Sequence, residues 1–115
     1  MTQAASQATK FYKDVSITHK LWTIKKGEIY ATATNPEGNV VVPFWSSLSR
    51  AKRIIKMVEV YADSEPIEVT WDDFKELWVP DLKERSWLVG VNWSGKAAKG
   101  YDLEPDLVVR AVECR

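Results

Sequence analysis

Residues 87 to 93, WLVGVNW, place apolar side chains at both parities of an extended chain: Trp87, Val89, Val91 and Trp93 on one, Leu88 and Gly90 with only Asn92 polar on the other. A strand that is apolar on both faces needs a covering layer on each side, so this segment is predicted to be an interior strand. Gly90, which lacks a Cβ, would let a helix approach that strand closely. A second apolar run, VVVPFW over residues 40–45, ends on the same Trp-then-Ser pattern. Two such strands in one short chain call for a sheet flanked by helices, which cover every apolar face.

The remaining pattern supplies those helices. Ala4, Ala8, Phe11, Tyr12 and Val15 recur at steps of three and four and predict a helix ending near Ser16. KLWTI and EIYATAT, separated by the turn KKGE, read as a hairpin, with Ile29, Ala31 and Ala33 on one face. NPEGN then reverses the chain into VVVPFW, so the first three strands form an antiparallel meander. From Leu48 the period changes to that of a helix, with Ala51, Ile54, Ile55 and Val58 on one side. PIEV predicts a short strand, and Thr70 has the spacing to cap a helix over WDDFKELW that should stop or kink at Val79, because Pro80 cannot donate to it, with PDLKERS making a further helical turn or two. Pro105 suits the first turn of a last helix carrying Leu107, Val108, Ala111 and Val112. The fold expected is α+β: a mixed sheet of about five strands flanked by three to four helices, as one domain over residues 1–115.

Charge removes several function classes. Sixteen basic residues balance sixteen acidic ones, so no overall field draws the chain to nucleic acid or an anionic membrane, and its longest apolar run is far short of a span. Nucleic acid and membrane are therefore not expected partners. The N-terminal MTQAASQATKFYKD lacks the basic start and contiguous apolar stretch of an export signal. Cys114 is the only cysteine, which excludes an intrachain disulfide and fits a reducing cytoplasm. No cofactor or metal is expected, since no ligand spacing occurs among the acidic residues.

Catalytic residue types are sparse. His19 is the sole histidine and has no acid or nucleophile beside it in sequence. Asp72 and Asp73 point different ways on a helix, and WSG lacks the glycine that a nucleophile elbow needs before its serine. What remains is the pair of strand ends. Ser46 or Ser47 is placed to cap the helix starting at Leu48, and the free N–H groups of that helix end, with Arg50 in its first turn, also suit an anion. If the two apolar strands are parallel neighbours, Trp45, Ser46, Asn92, Trp93 and Ser94 gather at one edge of the sheet, where ligands of open sheets commonly sit. The candidate binding residues are thus Trp45, Ser46, Ser47, Arg50, Asn92, Trp93 and Ser94. Against this stands the plainer role of both indoles as core and both serines as caps. Arg50, Lys52, Arg53 and Lys56 form a basic helix face, either a solvated surface or a dock for an acidic partner.

VPFWSSLSRA, VGVNWSG and GYDLEP, in that order, resemble the motifs of domain-of-unknown-function family 2750. The resemblance spans about residues 22 to 112, through Trp22, Pro43 to Ser46, Asn92 to Trp93 and Glu104 to Pro105. It implies a bacterial, cytoplasmic single domain and assigns no catalytic residue. A looser similarity links the Phe-Trp-Ser-Ser junction to secretion-associated and immunity-type α+β modules. The function expected is a non-enzymatic interaction module holding a protein, peptide or small anionic ligand at the strand ends; the alternatives are a small enzyme using those ends or nucleic-acid binding by the basic helix.

Overall fold

A computed structural model of the chain describes residues 2–114 and is α+β, with four helices and seven strands. Helix α1 (Gln3–Thr18) is capped by Thr2 and buries Ala8, Phe11 and Val15, three members of the predicted stripe. Strands β1 (Lys20–Lys26), β2 (Ile29–Tyr30), β3 (Ala33–Thr34) and β4 (Val40–Phe44) follow, then α2 (Leu48–Met57). A 3-10 turn at Glu59–Tyr61 leads to β5 (Glu65–Thr70). Helix α3 (residues 71–85), β6 (Leu88–Ser94), β7 (Lys99–Leu103) and α4 (Pro105–Glu113) complete the chain.

The strands lie in two sheets, β2-β1-β5 and β3-β4-β6-β7, not in one sheet of about five. Both turns of the predicted meander form, β1 with β2 and β3 with β4, but EIYATAT is divided between the sheets. The two sheets are stitched where β1 crosses the end of β4: Trp22 and Trp45 exchange both backbone hydrogen bonds, at 2.7 and 2.8 Å. Below this bridge the Thr23 hydroxyl donates to the Pro43 carbonyl at 2.9 Å, so a proline that donates nothing to the ladder still has its acceptor used. Strand β7 is absent from the sequence reading. It is half-exposed and carries Gly100 and Asp102, so it shows no apolar alternation.

Strands β4 and β6 are parallel neighbours, Val41 opposite Leu88 through Phe44 opposite Val91. One core cluster lies on the Val42 and Phe44 face, with Val89 and Val91 and the apolar sides of α1, α3 and α4. Phe44 meets Phe74 and Trp78 edge to face, both at 5.2 Å between centroids, the favoured geometry for aromatic pairs. A second cluster lies on the Val41 face, where Ala51 and Ile54 of α2 pack with Trp45, Tyr61 and Trp93. Buried on both sides, the central pair has the layering that its composition requires.

Alternation along β6 breaks at Asn92. Its φ of 48° is left-handed, and the register with β7 shifts between Val91 and Ser94, so Trp93 turns to the face opposite Val91. Asparagine is among the few residues that tolerate this conformation. The reversed indole lies back over Gly90 and reaches Gly100, where a Cβ would stand 2.7 Å from Trp93 Cδ1. Gly90 therefore accommodates the strand's own tryptophan, which corrects the expectation that a helix approaches there.

Helix α3 begins at Thr70, whose hydroxyl accepts from the Asp73 N–H at 3.1 Å as the spacing predicted. It does not stop at Pro80: the further turns expected over PDLKERS form, through Arg85, and the irregularity lies in the turn before the proline. The turn before it, Phe74–Trp78, is π-helical, with the Val79 N–H bonded to the Phe74 carbonyl. Widening that turn makes room for the proline ring, which would clash with the preceding carbonyl of a regular α-helix.

Helix α4 is clasped at its C-terminal end, where the Glu113 carboxylate accepts from Lys75 Nζ at 2.7 Å and from Trp71 Nε1 at 3.0 Å. The hydrogen bond from Lys75, and then that from Trp71, holds the Glu113 carboxyl below the usual carboxylate range. Such a group stabilises the fold above the ordinary carboxylate pKa and loses its contribution as the pH falls through the depressed value. Because Glu113 is partly exposed the effect is small. Melting temperatures of the wild type and Glu113→Ala are expected to differ modestly at neutral pH and to converge below the ordinary carboxylate range; a gap that persists in acid removes this account.

Candidate functional site

The two Trp-Ser strand ends meet. Trp45 closes β4, and its Nε1 donates to the Trp93 carbonyl at 2.8 Å. Asn92 Oδ1 accepts from the Ser46 N–H at 2.9 Å, while Nδ2 donates to Ser46 Oγ at 3.0 Å and to the Gln7 carbonyl at 3.1 Å. The Ser46 hydroxyl in turn donates to Asp14 Oδ2 at 2.8 Å. One side chain thus joins α1, the β4–α2 junction and the end of β6. Its left-handed backbone aims the amide into this space, and its buried polar atoms are all matched, as buried groups must be.

Burial divides the seven predicted residues. Trp45, Ser46, Asn92 and Trp93 are buried, Asn92 completely, so these four build the junction from inside. The two indoles do not stand open at the sheet edge: Trp45 is packed with α2, and Trp93 lies against Gly90 and Gly100, is bonded to Asp102 and keeps only a small exposed part. Trp93 Nε1 donates to Asp102 Oδ1 at 3.0 Å, and Asn35 Nδ2 donates to Asp102 Oδ2 at 3.1 Å, which ties the 35–39 turn to β7. Ser47, Arg50 and Ser94 remain partly open. Ser47 is the cap of α2, accepting from the Arg50 N–H at 3.3 Å, and Ser46 is not.

The open side of the junction is a cleft of about 30 Å³ between α2 and the turn after β6, lined by Arg50, Arg53, Ile54, Met57, Trp93 and Ser94. That volume seats one water-sized group, such as the tip of a carboxylate, rather than a whole metabolite. Arg50 is held in place by its bond to Gln7 Oε1. Arg53 belongs to the cleft although the strand-end pattern did not include it; its spacing of three from Arg50 on a helix was the available signal. Gln7, Asp14 and Asp102 also support the junction, and no local motif marks them because they arrive from α1 and β7.

Charge on α2 sets it apart. Arg50, Lys52, Arg53 and Lys56 pair with no carboxylate among the described residues; other lysines share that state, but these four lie together on one helix, LSRAKRIIKM, that contains no acidic residue. The helix therefore carries an uncompensated positive stripe on a chain of zero net charge. His19 lies elsewhere, in a cavity lined also by Ser16, Trp71, Asp72, Lys75 and Glu113. No helix among the described residues is long and apolar enough to cross a membrane.

No curated protein matches the chain. The family model for a protein of unknown function, DUF2750, matches residues 8–111, nearly the whole chain and every element that builds the junction from Ala8 onward. The chain belongs to the DUF2750 family.

Proposed function

We propose that this protein is a non-enzymatic binding module that takes the acidic part of a peptide or protein partner on α2 and the neighbouring 94–95 turn. The observation that carries the reading is the gathering of four cations without ion pairs on one helix that contains no acidic residue, in a chain of zero net charge. The buried Trp-Ser junction supplies rigidity. It fixes the start of α2 through Ser46 and Ser47 and holds Trp93 beneath the cleft, so the guanidinium groups stand on a preorganised support. Arg50 and Arg53 then offer planar donors to a carboxylate, with Lys52 and Lys56 adding less directional attraction.

A fluorescein-labelled poly-glutamate peptide tests this directly. Its anisotropy is expected to rise on titration with the protein at low salt, and its affinity to fall about tenfold between dilute and physiological ionic strength, since surface charges are screened over roughly 8–10 Å. The double charge reversal Arg53→Glu, Lys56→Glu should abolish the response while leaving the melting temperature within a few degrees. Binding that survives the reversal, or no binding at millimolar protein, rejects the reading.

A further inference from the structure

Two further cavities abut along the free edge formed by β2 and β3. The first, about 550 Å³, lies between the 34–37 turn, the 58–61 segment and the 97–100 turn; the second, about 350 Å³, continues past Ile29 to Lys26. They share Ala33, Val60 and Tyr61 and so make one groove. Both strands end their sheets, β2 next to β1 and β3 next to β4, with nothing on the other side. The Ala31 N–H bonds inward to Ile24 and the Asn35 N–H inward to Asn39. Backbone groups alternate in direction along an extended chain, so those of Tyr30, Thr32 and Thr34 face the groove.

Sheet edges are commonly protected by lysine, proline or a bulge, and residues 29–34, IYATAT, contain no lysine or proline. Ile29 and Val60 flank this edge at 75% and 72% exposure. Tyr61, nine-tenths buried in the wall of this groove, supplies the polar group that an incoming chain could meet. It is 7% exposed and lines both cavities, and its hydroxyl bonds to no other described residue and is not fully buried. Lys26 and Lys99 stand toward the two ends without ion pairs, while both oxygens of Asp102 are already bonded, leaving Glu37 as the one uncommitted carboxylate in the lining. The floor between them is small, with Ala31, Ala33, Ala98 and Gly100.

We propose that this edge receives an extended peptide of a partner protein, added as a strand along residues 30–34, with medium-sized apolar side chains over the alanine floor and acidic residues toward its ends. Backbone pairing supplies the attachment, alternate side chains the selection, and the Tyr61 hydroxyl a hydrogen bond to the incoming main chain. The proposal does not depend on α2.

Its test is to pan a random-sequence peptide library on the full chain, synthesise an enriched peptide and titrate it by anisotropy. Thr32→Pro, which deletes an outward N–H, is expected to weaken the enriched peptide about tenfold, and Tyr61→Phe about fivefold. Arg53→Glu with Lys56→Glu should leave its affinity within about twofold, which separates this site from the one on α2. Because the Tyr61 hydroxyl has no internal partner, Tyr61→Phe keeps the fold and remains informative even if Thr32→Pro does not fold. No enrichment, an enriched peptide indifferent to Tyr61→Phe, or sedimentation showing a dimer that Thr32→Pro dissolves would overturn the proposal, the last by making a second copy the occupant.

Discussion

Replacing Asn92 with alanine is expected to lower folding stability by roughly 3–4 kcal/mol. Two physical costs combine. The fully buried Ser46 N–H loses its acceptor and the Ser46 hydroxyl loses a donor, worth about 1–3 kcal/mol for the stranded amide. Alanine must also adopt the left-handed φ of 48° that asparagine tolerates, at about 1–2 kcal/mol. Glycine separates these costs. Asn92→Gly keeps the backbone freedom and loses only the hydrogen bonds, so it should be the milder variant by about 1 kcal/mol. Urea unfolding followed by far-ultraviolet circular dichroism measures both. Equal losses would mean that the conformation at residue 92 costs nothing, and a loss below about 1 kcal/mol in alanine would mean that the network is not holding the junction.

Gly90→Ala is expected to cost about 2–3 kcal/mol, which is large for the addition of one methyl group. The new Cβ would enter the space of the Trp93 indole, and that ring cannot simply swing away. It is bonded to Asp102 and stands tight against Gly100. The distinguishing measurement is a double-mutant cycle with Trp93→Leu. The smaller side chain should be costly alone, through the lost ring packing, yet absorb most of the further cost of Gly90→Ala. Strict additivity would show that the methyl group strikes something else.

These two residues also show where sequence reasoning reaches. VVVPFW and WLVGVNW announce buried strands because apolar residues occupy both parities; that they are parallel neighbours was a condition the sequence could state and only the fold supplies. Helix α2 is legible because Ala51 and Ile54 keep a helical period, and the α3 start because Thr70 is followed at three residues by an acidic side chain. What escapes is decided by backbone dihedrals and distant partners. No side-chain pattern announces that Asn92 takes a positive φ, yet that single angle reverses Trp93 and moves it from the α1 side to the α2 side. The division of EIYATAT into two strands depends on how β1 crosses β4. The repeated Trp-Ser ending suggested that the candidate residues could meet if the strands were parallel neighbours, and the plainer role of both indoles as core is the one the fold gives them. The partners of Trp93 on β7 were not readable, because Gly100 and Asp102 carry no strand signal.

Parallel pairing of β4 with β6 has a kinetic consequence. No tight turn can join parallel partners, so the first bond between Val42 and Val89 can form only after α2, β5 and α3 have been looped out of the way, with their chain entropy lost in advance. The three hairpins, β1–β2, β3–β4 and β6–β7, and the isolated helices are expected to gather quickly, whereas the central ladder, like the β1–β5 ladder, closes a long loop and is expected to limit the refolding rate. A molecule interrupted before that step would display the two most apolar segments of the chain to its neighbours, making refolding yield fall with protein concentration even where the finished fold is secure.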